Sequence, residues 1–355
     1  MESKFINALI LHGRGLSRLS GLEEKVFTVE EKLALMIEAA GENNERALAK
    51  LISLVEDRKT GWKDIMKTIY AKTGRTCVIG VTGSPGAGKS SLVGEFAKRL
   101  GDMGYNIGII AVDPSSPFSG GALLGDRIRM RDISTYQNIF IRSMATRGML
   151  GGLCQAARDV ARIMDFAGRD IVIIETVGVG QDEIEVVSTS DYVVLITYPG
   201  GGDSVQAIKA GVMEIGDLFV VNKCDRGDAD VIVSEISAML DLSTETAAKI
   251  PQVIKTSAFT KEGIDKLTDI LSEFIKKKKK GRRYQKEHVR QEVMSILETE
   301  VVTLIKERIT GNGNMEKELE LILSGKSDPY SIADKLMKRF AVIKKLEEKR
   351  KGGFQ

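Results

Sequence analysis

Cysteine and histidine are scarce. The 355-residue chain has three cysteines, Cys77, Cys154 and Cys224, with no C-x-x-C pair, and two histidines, His12 and His288. That scarcity argues against a disulfide framework and against a Cys/His metal centre. Charge of one sign is also lacking: 52 Lys and Arg against 49 Asp and Glu leave +3, too small an excess to imply nucleic acid without a local basic stripe. No apolar run approaches the roughly 20 residues that a membrane-spanning helix needs. The apolar stretch from Phe5 to Leu11 is interrupted by Asn7 and followed by no small-residue cleavage signature. These absences lead to the expectation of a cytoplasmic protein with neither nucleic acid nor membrane as partner.

Core-forming residues are abundant. Hydrophobic residues make up 43% of the chain and charged residues 28%, which is the balance of a globular protein rather than a disordered one. At roughly 100 to 200 residues per domain the length accommodates about two domains. Residues 1–75 read as an N-terminal helical extension, because apolar positions such as Leu33, Met36, Ile37 and Leu48, Leu51, Ile52, Val55 recur at helical spacing. From Thr76 onward the pattern changes to short Val- and Ile-rich runs separated mostly by helical stretches. The runs are Cys77–Val81, Ile107–Val112, Ile139–Ile141, Ile171–Ile174, Tyr192–Ile196, Leu218–Val221 and Val253–Ile254. Alternation of this kind predicts an α/β fold over residues 76–277, with a mainly parallel sheet flanked by helices on both faces.

The one strong charge block follows, Lys276 to Lys280 with Gly281, Arg282 and Arg283. Such blocks are ordinarily solvated helix ends or linkers, and less often bind polyanions or acidic surfaces. Residues 278–355 therefore read as a basic linker and a helical arm, with Val289, Val293, Ile296, Leu297 and Val301 at helical spacing. Helices without a strand make a poor independent core. The arm is expected to dock on the main domain or on another copy.

The chemistry begins at the end of the first apolar run. Gly83-Ser84-Pro85-Gly86-Ala87-Gly88-Lys89-Ser90 matches G-x-x-x-x-G-K-S between a strand and an apolar-periodic helix, the context this phosphate loop requires. Its glycines let successive backbone N–H groups wrap a β-phosphate, and the helix N-terminus adds its positive end. Lys89 would reach between the β- and γ-phosphates, Ser90 would take a place on Mg²⁺, and Ser91 joins the nucleotide-binding set.

Downstream residues select the base. The run Leu218–Val221 ends in Asn222-Lys223-Cys224-Asp225, an N-K-x-D signature in which Asp225 can accept from guanine N1–H and the N2 amino group. Adenine offers no matching donors, and a site built on such a pair rejects the analogue lacking it. Asn222 and the Lys223 stem would hold the base edge and cover the ring. Thr256-Ser257-Ala258, after the last apolar run, would place the Ala258 N–H near guanine O6. The expected nucleotide is GTP or GDP rather than ATP. Between these motifs, Ile171–Ile174 leads to Glu175-Thr176-Val177-Gly178, where a carboxylate at a strand end can reach Mg²⁺ through its water shell and Gly178 frees a backbone N–H near the γ-phosphate. Val179 follows that glycine and Gln181 comes later, so the attacking water is positioned differently from GTPases with Gln directly after Gly.

Together the motifs resemble the MeaB/ArgK-type G-proteins over about residues 30–345. Asp113-Pro114-Ser115-Ser116-Pro117 with Ser119 to Met130 is similar to their switch I region, Glu175 to Gln181 to their third G-motif, and Pro199 to Gly211 to a third switch. The resemblance implies Asp113, Asp126 and Glu175 around Mg²⁺ together with Ser90, and Lys89, Asp113 and Glu175 as the catalytic set. It implies that Asp203 and Lys209 relay nucleotide state to a partner. It also implies a homodimeric GTPase chaperone of an adenosylcobalamin-dependent acyl-CoA mutase, methylmalonyl-CoA mutase first among them, with a cobalamin adenosyltransferase as a further candidate partner. Alternatives from other classes are a metal-inserting GTPase, against which the shortage of His and Cys argues, and a transport-system kinase or ATPase. Residues 1–29 lie outside the family pattern.

Overall fold

The computed structural model describes residues 28–113, 133, 135–145, 152–176, 178, 190–200, 215–243, 250–279, 286–310 and 314–338. The chain divides into two compact units, Met1–Gln285 and Lys286–Gln355.

Among the described residues, the first unit begins with three helices, α1 (Val29–Gly41), α2 (Glu45–Glu56) and α3 (Trp62–Tyr70). Side chains capture the free N–H groups at two of their starts. Thr28 and Glu31 form a reciprocal capping box on α1, and Asn44 Oδ1 accepts from the Arg46 and Ala47 N–H groups on α2. On α2, Leu48, Leu51, Ile52 and Val55 fall on one face and are wholly buried. That face packs against α5 (Gly152–Phe166).

The sheet has seven strands, β1 (Cys77–Gly83), β2 (Ile107–Asp113), β3 (Ile139–Ala145), β4 (Ile171–Thr176), β5 (Tyr192–Thr197), β6 (Leu218–Val221) and β7 (Gln252–Lys255). Their order is β3-β2-β4-β1-β5-β6-β7, and every neighbouring pair is parallel. All seven expected runs are strands, and the α/β expectation holds. Alternate residues of each strand serve opposite faces. Ile107, Ile109, Ile171 and Ile173 join the cluster beneath α4 (Lys89–Asp102) and α7 (Ile264–Lys279). Ile110, Val112, Val172 and Ile174 join the cluster beneath α2, α3 and α5. Farther along the sheet, Leu195, Phe219 and Val221 pack on α6 (Ala229–Ser243) through Ile236 and Leu240. With helices on both faces, the functional surface falls at the C-terminal ends of the strands, beside β1 where the strand order reverses.

The start of the lysine run continues α7 as its last turn. Lys277 pairs with Glu273 at 2.6 Å, and Lys278 pairs with Asp191 at the foot of β5. In the second unit, α8 (Lys286–Thr310) and α9 (Asn314–Leu323) precede helical residues 329–338. Lys335 ties this last segment to Glu318 on α9 at 2.8 Å. Val293, Met294, Leu297, Val301 and Leu304 of α8 remain about half exposed.

Candidate functional site

The phosphate loop leaves β1 at Gly83, whose φ of +140° suits glycine. A Cβ there would lie 1.9 Å from the Ile196 carbonyl oxygen, so the loop begins where two backbones touch. The Ser84 N–H donates to that same carbonyl at 3.1 Å. Gly88, with φ +83°, caps α4, and Lys89 and Ser90 form its first turn. Lys89 is only 6% exposed. Its Nζ donates to the Gly83 and Ser84 carbonyls at 2.8 and 3.0 Å, across the concave side of the loop. Ser90 Oγ donates to Glu175 Oε1 at 2.6 Å, and both residues are buried. Ser91 lines the adjoining cavity.

Glu175 stands near the end of β4, in register with Val81 of β1 and Ala111 of β2. Asp113 ends β2, two residues beyond that register position and opposite Ala145 of β3. Gly178 is buried beside the loop, where an added Cβ would meet Pro85 at 3.6 Å. Two hydroxyls fix it: Thr82 Oγ1 donates to the Gly178 carbonyl at 2.6 Å, and Thr176 Oγ1 lies 3.0 Å from Thr82 Oγ1. Buried hydroxyls without partners would be costly, so this bridge holds the third motif against the end of β1. The side chain of Asp113, and Asp126, Asp203, Lys209 and Gln181 entirely, lie outside the described residues.

The N-K-x-D residues meet the phosphate loop through Asn222. This residue is 1% exposed. Its Nδ2 donates to the Ala87 carbonyl at 2.7 Å, while its Oδ1 accepts from Thr256 Oγ1 at 3.2 Å and from the Ala258 N–H at 3.3 Å. Asn222 therefore ties three loops together. Gly88 is required on the other side of this tie, since a Cβ there would sit 2.8 Å from Asn222 Nδ2. Lys223 adopts a left-handed φ of +59°, donates to the Gly86 carbonyl at 2.6 Å and places its ammonium 4.3 Å from the centre of the Tyr198 ring. Desolvation, reinforced by Arg226, lowers its pKa below the usual lysine value against the opposing pull of Asp225. Ser257 Oγ donates to Asp225 Oδ1 and accepts from the Thr260 N–H at 3.1 Å.

These groups border a cavity of about 510 Å³ lined by Asn222, Lys223, Asp225, Ser257 and Ala258 on one side. Ser90, Ser91, Gly94, Glu95 and Lys98 line it from α4, with Ile133 and Phe259. Its size suits a small-molecule site. The structure thus brings together Gly83 to Ser91, Glu175, Gly178, Asn222, Lys223, Asp225, Ser257 and Ala258 at one end of the sheet. Sequence reasoning missed Thr82 and Thr176, which look like ordinary strand residues. It also missed Tyr198, which gains a role only because the topology sets it beside Lys223, and Phe259, which directly follows the Thr256-Ser257-Ala258 motif.

The donor set also suits a hard cation. Ser90 and Glu175 present oxygen atoms at a buried point beside the phosphate loop, and Mg²⁺ takes one or two such ligands while keeping several waters.

The chain is similar to proteins named as GTPases. A family model described as methylmalonyl Co-A mutase-associated GTPase MeaB matches residues 48–313. A protein of Pyrococcus horikoshii named as a GTPase is 44% identical over 310 residues, covering 86% of this chain and 97% of the relative. The GTPase ArgK of Escherichia coli is 38% identical over 254 residues, covering 69% and 76%. The mouse protein named methylmalonic aciduria type A homolog, mitochondrial, is 33% identical over 317 residues, covering 82% and 76%. Among solved structures, one described as LAO/AO transport system kinase superposes with a TM-score of 0.65 at 27% identity, covering 89% of this chain and 99% of that one.

Proposed function

We propose, since the chain belongs to the MeaB family of P-loop GTPases, that it is a Mg²⁺-dependent G-protein chaperone. It would gate delivery of the cobalamin cofactor to an adenosylcobalamin-dependent acyl-CoA mutase, methylmalonyl-CoA mutase first, and protect that enzyme. The mutase half of this reading is supported by the family's description and by the name of the mouse relative. The observation that carries the enzymatic half is the 2.6 Å contact between Ser90 and Glu175, which joins the phosphate loop to the third motif.

In this reading the backbone N–H groups of Gly86, Gly88, Lys89 and Ser90 bind the phosphates, and Lys89 exchanges its two loop carbonyls for phosphate oxygens. Ser90 and Glu175, with Asp113 and Asp126, would hold Mg²⁺ and its waters. When bound, the ion would neutralise charge developing on the β- and γ-phosphate oxygens. Asp225 reads the guanine edge with Ser257 fixing one carboxylate oxygen, and the Lys223 stem covers the ring. Asn222 keeps these groups in register with the phosphate loop. Gly178 offers its N–H to the γ-phosphate, so loss of that group on hydrolysis changes the contacts of Gly178. Catalysis is by positioning and charge stabilisation, with in-line attack of water and no covalent enzyme intermediate. Asp203 and Lys209 relay the change to the mutase, and the apolar face of α8 joins two copies into a dimer. A cobalamin adenosyltransferase is a further candidate partner.

The test measures GTP turnover by the purified protein alone and with methylmalonyl-CoA mutase, and captures partners on GDP-loaded and GTP-analogue-loaded protein. Slow turnover alone, acceleration by the mutase and nucleotide-dependent capture are the expected results. Equal turnover with and without the mutase would remove the chaperone reading. Transfer of labelled γ-phosphate to a protein would replace it with a kinase.

A further inference from the structure

Phe259 is 88% exposed, more than any other large apolar side chain among the described residues. It borders the cavity beside Asp225, Ser257 and Ala258. An aromatic ring at the mouth of a polar cavity, carried on a fixed backbone, is placed to meet a flat ligand that enters the cavity. The backbone around it is held at several points. The Thr260 N–H donates to Ser257 Oγ at 3.1 Å, and the Ser257 N–H to the Glu262 carbonyl at 3.0 Å. Lys261 adopts a left-handed φ of +68° and is pinned by Glu95 on α4 at 2.7 Å and by the Ala258 carbonyl at 3.0 Å. Gly263 follows with φ +70°, where a Cβ would lie 2.1 Å from the Lys255 carbonyl oxygen. A left-handed lysine such as Lys261 persists only where surrounding contacts over-determine the loop. The result is a fixed loop carrying an aromatic side chain at the mouth of the base pocket.

We infer that Phe259 is a base-binding residue whose ring stacks on the face of the guanine that Asp225 reads at its edge. The inference rests on the proposed placement of guanine beside Asp225 and adds the face to the edge. The division of labour follows from chemistry: every purine has a π-face, so stacking contributes affinity without discriminating among bases, whereas the carboxylate discriminates by its hydrogen bonds.

The experiment uses the full chain, measuring GDP and IDP affinities and dissociation rates for the wild type and for Phe259→Ala, Phe259→Leu, Phe259→Trp and Asp225→Asn. Because the ring is exposed, the Phe259 variants should melt with the wild type when no nucleotide is present. Phe259→Ala should weaken GDP and IDP by the same factor, about 5- to 100-fold, mostly through faster dissociation. Phe259→Leu should recover only part of the loss, and Phe259→Trp should restore affinity. In Phe259→Trp, GDP should quench indole emission beyond any change seen from Trp62 in the wild type. Affinity of Phe259→Ala within twofold of wild type, or no added quenching in Phe259→Trp, overturns the inference. If Asp225→Asn leaves the GDP to IDP ratio unchanged, the placement of guanine itself fails, and that outcome is separable from a failure of Phe259 alone.

Discussion

The hydroxyl of Ser90 and the carboxylate of Glu175 meet at 2.6 Å although 85 positions separate them in sequence. The contact depends on β1 and β4 being neighbours in register, Val81 beside Glu175, with the phosphate loop curling back over their ends. Glutamate is one methylene longer than aspartate, and here it reaches the loop serine directly.

That reach can be tested by shortening it. Glu175→Asp should lower Mg²⁺ affinity in the GTP complex by about 10- to 100-fold. Glu175→Gln, which keeps the length and removes the charge, should lower turnover further at saturating Mg²⁺. GDP affinity in EDTA should stay near wild type for both. Equal Mg²⁺ titration curves for wild type and Glu175→Asp would show that the reach is immaterial.

Asn222 and Asp225 are three residues apart and should fail differently. Asn222→Ala leaves the Ala87 carbonyl, Thr256 Oγ1 and the Ala258 N–H without their shared partner. Stability should fall by about 1–3 kcal/mol, with GDP and IDP weakened alike. Asp225→Asn replaces an acceptor with a donor, so xanthosine diphosphate, which carries a carbonyl at C2, should gain while GDP loses roughly 100-fold or more. Calorimetric titration with the three nucleotides distinguishes these outcomes.

The strands were legible because a parallel sheet covered on both faces makes continuous apolar runs. Ile171–Ile174 shows this plainly, with all four residues buried. Edges blurred the signal. β3 extends past Ile141 through Arg142 and Ser143, and Arg142 is accommodated because its Nε donates to Glu56 Oε2 on α2 at 3.2 Å. β7 buries only Ile254, with Val253 half-buried and both ends exposed, and begins one residue before the run that marks it. The phosphate loop was legible because its groups are contiguous in the chain. The Thr82 to Gly178 bridge and the Asn222 tie were not, because each is closed by residues that the fold alone brings together.

Two glycines of the site should respond in opposite ways to the same added methyl. At Gly83 it collides with the Ile196 backbone in a conformation suited to glycine, so Gly83→Ala should cost about 3 kcal/mol or more. At Gly178 it meets only Pro85 at 3.6 Å, an ordinary contact. Gly178→Ala should melt within about 0.5 kcal/mol of wild type, while GTP turnover falls because the methyl stands against the loop at the expected γ-phosphate position. Thermal melting and phosphate release separate the folding role from the chemical one.

Acid stability should carry the signature of Asp165. This residue near the end of α5 accepts the N–H groups of Gly74, Arg75 and Thr76, fixing the entry into β1. Burial raises its pKa above 3.8, and the backbone hydrogen bonds and Arg162 only partly offset that rise. The folded protein therefore holds this proton more tightly than the unfolded chain. Its contribution to stability is fully present below pH 3.8 and is lost as pH rises through the raised folded value. Asp165→Asn cannot titrate, and its amide mimics the three N–H contacts imperfectly, so it should be less stable by an offset that does not vary with pH. Urea unfolding from pH 4 to 7 should show wild-type stability declining relative to the variant over the acid part of that range and then running parallel to it. Parallel curves from pH 4 upward would mean that the three backbone donors hold the carboxylate at its ordinary pKa.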